Sequence, residues 1–365
     1  MGILRAVLAI SVVFAHSNWR GGAVFAGGQA AVQCFYIISG YLISYILLNN
    51  KSYTNLWRFY GNRALRIYPA YLAVALLSLP IGLLGKAGIV ETFRSAPAAA
   101  NVLLAFSNIF LFGQDWVYFS GVRGGHLVFA SNFNHSEVVL CRGLLLPQSW
   151  TLGVELTFYL LAPFILKDRR KLMLLLLASF GLRACLLMQG IGFSDPWSCR
   201  FFPSELGLFL LGALSQQLLS PLWKRAVAKV KKLPHWGTGV LVCFTVAFCG
   251  IPLPYEIVLP VFLASAALLM PLTFFFQNSF AMDKWIGELS YPIYIGHILV
   301  FHLLNPLLHT LRIQNNVLIA NANVAASILL AIILNHFLIR RLDALRERLR
   351  SASGKQRRAN SEVCA

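Results

Sequence analysis

IVLPVFLASAALLMPLTFFF, residues 257–276, is a run of 20 positions without one charged side chain. The hydrocarbon core of a bilayer takes about 20 apolar residues of helix, with roughly 17 to 25 tolerated. The stretch therefore reads as a membrane span, and the rest of the chain must be read in the same solvent. Working outward, residues 2–17, 30–48, 66–84, 147–166, 172–189, 201–218, 236–251, 289–308 and 317–339 have the same character. A further apolar run, 102–112, is too short to cross unaided and is expected to be re-entrant or interfacial. The fold class is all-α: a polytopic membrane protein of about ten transmembrane helices. A membrane domain fills residues 1–339, and a basic tail occupies 340–365.

Composition agrees. The 365 residues are 58% hydrophobic and only 12% charged, against roughly a quarter charged in ordinary globular proteins, and the mean hydropathy is +0.68. This excludes disorder, a disulfide scaffold and a water-soluble enzyme. The 31 Lys and Arg against 13 Asp and Glu leave a net charge of +18, which raises nucleic acid as a partner until the charges are sorted by loop. With the N-terminus inside and 102–112 not crossing, 23 basic residues fall in cytoplasmic segments and seven outside, with Arg183 within a helix. That is the bias expected of cytoplasmic loops, so both termini are placed in the cytoplasm and nucleic acid is not needed. If 102–112 crossed, the cluster Lys167 to Lys171 would be outside. One long outer segment, 85–146, remains; a loop of that length is functional or disordered. Residues 6–15 resemble a signal-peptide core, but no small-residue cleavage site follows, and the segment is kept as a helix. The seven cysteines show no metal or redox spacing. No HExxH, GxSxG, GxGxxG or P-loop pattern is present, and no metal site is expected.

Ionisable groups within apolar helices are costly and mark function by default. Arg5 and His16 are eleven positions apart, which on a helix is about 20° off one face and a rise of about 16 Å. They form either a stripe with a purpose or a basic anchor and an interfacial histidine. Arg63 and Arg66, in RALR, share a helix face and suit bidentate capture of phosphate, or anchor the helix at the cytoplasmic side. Glu155, in SWTLGVELTFYLLAP, is the lone carboxylate of its span, with Tyr159 one turn on. In ELSYPIYIGH, Ser290, Tyr294 and His297 lie on one face, as core packing or as a site. Arg200 and Glu205, at an outer mouth, bind a polar substrate or pair with each other.

Taken in order, these blocks resemble the acyltransferase family 3 of integral membrane proteins, which O-acylate glycans and other envelope or secreted molecules. The resemblance rests on Arg5 with ten residues before His16, CFYIISGYLISY around Ser39 and Gly40, RFYGNRALRIYPAY, SWTLGVELTFYLLAP and LSYPIYIGH. It covers residues 1 to about 340 and implies functional roles for Arg5, His16, Arg63 and Arg66. The family usually has a serine where this chain has Gly153. Some relatives carry a fused SGNH domain, and this chain is expected to be a stand-alone form.

The resemblance implies an acyl transfer, most simply of acetyl, from acyl-CoA as co-substrate with no bound cofactor, to a glycan acceptor such as an O-antigen, exopolysaccharide or lipo-oligosaccharide. The membrane it implies is the inner (plasma) membrane. A sugar hydroxyl is a poor nucleophile, and a histidine base contributes about 10²- to 10⁴-fold. His16 is the expected base, with Glu155 orienting its ring in the manner of a triad. Arg5, Arg63 and Arg66 are the expected ligands of the acyl-CoA phosphates. Direct transfer to the hydroxyl is favoured over an acyl-enzyme on Ser39 or Cys34, because Ser39 beside Gly40 suits close helix packing. Rival readings are a transporter or flippase with His16, Glu155 and His297 as a proton relay, and a scaffold without chemistry. The acceptor and the oligomeric state are left open.

Overall fold

The computed structural model describes residues 1–17, 25–50, 53, 55–84 and 88–342. All but the first three residues of the expected tail lie outside the described residues. In chain order the helices are α1 (Gly2–His16), α2 (Gly27–Asn49), α3 (Leu56–Leu83), α4 (Ile89–Ser95), α5 (Ala98–Phe110), α6 (Trp150–Ile165), α7 (Arg169–Met188), α8 (Phe202–Leu214), α9 (Ser220–Lys229), α10 (Leu233–Ala247), α11 (Tyr255–Ser279), α12 (Ala281–Thr310) and α13 (Asn316–Leu334). Two short strands, β1 (Ser120–Arg123) and β2 (His126–Phe129), pair antiparallel between α5 and α6.

Among the described residues, eight runs are long and apolar enough to cross: α2, α3, α7, α8 continued through a wide turn into α9, α10, α11, α12 and α13. The two other expected spans, 2–17 and 147–166, are helices of 15 and 16 residues, below the usual length. They are inner helices: α1 packs on α2 and α12, and α6 on α2 and α3. α6 starts three residues later than expected because Pro147–Ser149 form a 3-10 turn. Elsewhere helices outrun their apolar windows. α3 begins at Leu56, where the Asn55 side chain accepts hydrogen bonds from the amides of Trp57 (2.9 Å) and Arg58 (3.4 Å) and so caps the free donors of the first turn. Backbone hydrogen bonding, rather than the apolar boundary, decides where such helices start.

The site is positioned by two helix pairs. At the first, Asp283 of α12 caps α1, its carboxylate accepting from the Gly2 amide at 2.6 Å and the Ile3 amide at 2.7 Å. Fourteen residues further along each helix, the rings of His16 and His297 lie 5.0 Å apart. The two helices therefore run parallel in register. Parallel packing requires an odd number of crossings between them, and this fits the seven runs from α2 to α11 without α5. The expectation that α5 does not cross gains a geometric reason: it dips in. The Tyr71 hydroxyl, midway along α3, donates to the Asn108 carbonyl at 2.5 Å, and the neighbouring Tyr68 hydroxyl donates to that of Phe110. The chain then turns back through Leu111, at φ +60°. Irregular backbone at such depth is tolerated where protein surrounds it.

At the second pair, α2 crosses α8 with almost no space between backbones. A Cβ on Gly40 would stand 1.8 Å from the Phe209 carbonyl oxygen, and one on Gly212 2.0 Å from that of Ile37. Small residues permit such close approach in membranes. Gly40→Ala is expected to force the pair apart at a cost of about 1–3 kcal/mol or more, read as a lower thermal midpoint of the protein in detergent. An unchanged midpoint would refute the close crossing.

The 85–146 segment is ordered through the residues described, not a structureless loop. Its hairpin, which the sequence reading did not foresee, turns at Gly124 (φ +56°) and Gly125 (φ +74°). Two successive positive φ values are what a two-residue hairpin turn matching strand twist requires.

Candidate active site

An open-mouthed cavity lies among α1, α2, α3, α6 and α12. Arg5, Arg63 and Arg66 line it together with Ser39, Glu155, Tyr159, Ser290 and Tyr294. Two of the arginines come from the i, i+3 spacing of RALR, which points them to one side of α3. The third arrives because the α1–α12 clamp places the first turns of α1 beside Gly287, close enough that a Cβ there would stand 3.7 Å from Arg5 Nη1. Arg63 is buried, its Nη2 donating to Asn62 Oδ1 at 2.7 Å, whereas Arg66 is partly exposed to the cavity.

Glu155 stands opposite as the counter-charge. Its Oε1 accepts from Ser39 Oγ at 2.5 Å and from the Tyr159 hydroxyl. Ser39 thus faces the cavity while its neighbour Gly40 makes the α2–α8 crossing, so the SG pair divides its duties between two sides of α2.

Toward the far end, the cavity reaches Tyr294. Its hydroxyl donates to the Gln148 carbonyl at 2.8 Å and accepts from Thr151 Oγ1 at 2.9 Å. One turn on, His297 is wholly buried, with Nδ1 2.6 Å from the Tyr294 carbonyl oxygen. His16, at the C-terminal end of α1, is exposed, with Nδ1 2.9 Å from the Val12 carbonyl oxygen. A carbonyl only accepts, so each Nδ1 carries the hydrogen, and in the neutral ring each Nε2 then holds a lone pair. That leaves His16 in the tautomer of a base.

Two expectations are corrected here. Glu155 does not orient His16: it belongs to the arginine end, and the ring is held by its own helix carbonyl and packs on His297. Arg200 and Glu205 do not pair with each other. Arg200 makes a two-pronged contact with Asp195 (2.5 and 2.8 Å) and lies over the rings of Tyr118 and Trp150, 3.9 and 4.2 Å from their centroids. Burial works against its charge, but the Asp195 hydrogen bonds and the coulombic pull of Tyr118, Cys199 and Asp195 together outweigh it and hold the guanidinium above its usual pKa. Glu205, fully buried in α8, takes Arg183 of α7 at 2.6 Å.

Sequence reasoning missed Tyr291, which lines the cavity and ties α12 to α3 through a 2.8 Å bond from its hydroxyl to the Ile67 carbonyl. It sits inside the quoted LSYPIYIGH, one position off the 290/294/297 stripe. Thr151 and Asp195 were also missed; Asp195 had a signal, an acid five residues from Arg200 in a short linker. The glycine at 153, where family resemblance leads one to expect serine, has a steric reason. A Cβ there would stand 2.7 Å from Oδ1 of the buried Asp115, which the re-entrant segment brings to this point.

A family model described as an acyltransferase domain matches residues 1–336. Among curated proteins, the chain is 26% identical over 357 residues to the peptidoglycan O-acetyltransferase OatA of Listeria monocytogenes, covering 90% of this chain and 53% of that protein. It is 24% identical over 332 residues to the putative peptidoglycan O-acetyltransferase YrhL of Bacillus subtilis, covering 83% and 48%. It is 26% identical over 326 residues to nodulation protein 10 of Rhizobium leguminosarum, covering 83% and 82%. The chain thus spans about half the length of the first two. No solved structure matches it.

Proposed function

The chain belongs to the acyltransferase family 3, whose domain matches residues 1–336, and from that premise we propose that it is a membrane O-acyltransferase using acyl-CoA, with acetyl as the group moved, to acylate a glycan hydroxyl. The observation that supports this reading most is a cavity that gathers three arginines and reaches Tyr294, with His16, whose Nδ1 is committed to the Val12 carbonyl, lying outside its lining but against His297, one turn past Tyr294. The N-terminal end of α1 and the C-terminal end of α13 are assigned to the cytoplasmic side of the inner membrane, following the bias of basic residues.

In this mechanism the phosphates of acyl-CoA bind Arg5, Arg63 and Arg66 from the cytoplasm through charge-assisted hydrogen bonds. Glu155, held by Ser39 and Tyr159, keeps the arginines from facing one another uncompensated before the donor arrives. The pantetheine arm leaves the cavity past Tyr294 toward His16, over the roughly 16 Å of helix rise between Arg5 and His16. The acceptor approaches the exposed face of His16, whose Nε2 takes the hydroxyl proton as the oxygen attacks the thioester carbonyl. The C–S bond then breaks, and CoA leaves by the route it entered. The glycan reading draws on relatives named for peptidoglycan O-acetylation.

The test is to supply acetyl-CoA to membranes of producing cells, which carry their own acceptor, and to follow free CoA thiol together with alkali-labile acetate in the glycan fraction. Both are expected to rise together. Transport of a glycan without consumption of acetyl-CoA would overturn the assignment.

A further inference from the structure

His297 has no part in the mechanism so far, although its ring meets that of the proposed base. It is completely buried, its Nδ1 is committed to the Tyr294 carbonyl, and its Nε2 is a buried lone pair without a hydrogen-bond partner. A buried acceptor left unmatched costs about 1–3 kcal/mol, so such a group in a folded protein calls for a reason. The packing around it offers one. Phe301 stands 5.6 Å away on one side and Tyr294 6.0 Å on another, while His16 is 5.0 Å distant. Of these neighbours, the Tyr294 hydroxyl is already engaged with Gln148. The neighbour able to present a new N–H is His16, and only after it has gained a proton.

From this geometry we infer that His297 is a positioning residue for the transfer: its Nε2 accepts a hydrogen bond from the Nε2–H of protonated His16, so that the two imidazoles share the proton taken from the acceptor. The inference rests on the proposed acyltransferase reading. The place of a triad carboxylate, at His16 Nδ1, is held by the Val12 carbonyl, and His297 acts on the base nitrogen itself. In the resting pair both Nε2 atoms are lone pairs and cannot bond to each other, which accounts for the orphaned acceptor. When the acceptor O–H bond breaks, its proton passes to His16 Nε2. The oxygen forms its bond to the carbonyl carbon, and the sulfur departs with the C–S electron pair as thiolate, protonated by water at the cytoplasmic mouth. The proton shared by the pair is released to water at the exposed face of His16. Arg200, the other charged group acting on His16, is already paired with Asp195.

The test compares His297→Phe with His297→Gln in membranes assayed with acetyl-CoA, reading alkali-labile glycan acetate. Phenylalanine keeps the ring volume and loses the acceptor; it is expected to lower kcat about 10²-fold, the scale of one acid–base element, with KM for acetyl-CoA unchanged. Glutamine restores a lone pair near the Nε2 position and is expected to recover at least tenfold of that loss. Full kcat in the phenylalanine variant, equal loss in both variants, or a KM that rises in step with the fall in kcat would each overturn the inference. Failure of the acyltransferase reading itself would look different, as unaltered protein that releases no CoA thiol.

Discussion

Replacing His16 with alanine is expected to lower acetyl transfer by about 10²- to 10⁴-fold, the contribution of a positioned general base, without loss of the protein from the membrane. The ring is exposed at the end of α1, and its one hydrogen bond is to its own helix, so the bundle does not depend on it. The clamp that seats α1 is at the opposite end, on Asp283. The measurement is CoA thiol release by purified protein, with retention in the membrane fraction and thermal midpoint as controls. Full turnover by a correctly inserted His16→Ala protein would end the mechanism proposed here.

The second large effect is expected in the arginine-lined cavity. Arg66→Ala should raise KM for acetyl-CoA by about 10- to 100-fold, because a hydrogen bond to a charged group contributes about 1.5–3 kcal/mol and each 1.4 kcal/mol is a factor of ten. kcat should change little, since an interaction made equally in ground and transition states affects binding alone. Arg66 is the cleaner probe of the pair. Arg63 is buried and tied to Asn62, so its removal disturbs packing as well as binding. A fall in kcat at unchanged KM would show that Arg66 serves the chemical step instead of the donor.

The spans were legible because hydropathy over 20 residues is a one-dimensional signal, and the eight long helices fall where the apolar windows do. The arginines were legible for a related reason: charges in apolar surroundings stand out one at a time. What could not be read was which helix faces which. Glu155 looked like the partner of His16 because both are rare groups in apolar helices, yet the rotation of α6 turns the carboxylate to Ser39 and the arginines. The partner of His16 lay in plain view on the Ser290–Tyr294–His297 stripe; the missing information was the parallel register of α1 with α12, set by a cap between residues 281 positions apart. Likewise Glu205 and Arg200 are neighbours in sequence but are claimed by Arg183 and Asp195. The hairpin at 120–129 escaped notice because a Gly-Gly turn between two four-residue strands is a weak signal beside membrane helices.

The matched register of α1 and α12 has a consequence for donor choice. With Arg5 and His16 carried on the one helix α1, which is held in register against α12, the distance between them acts as a gauge, and on the proposed reading what it measures is the carrier. Every coenzyme A thioester presents the same arm between its phosphates and its sulfur, so the gauge admits the whole class and is indifferent to the cargo. Discrimination between a two-carbon group and a longer one falls to the walls where the arm ends, at Tyr294 and the Phe35 ring packed against it at 6.4 Å. A change of cargo would therefore be sought in those side chains, with the helix pair left as it is.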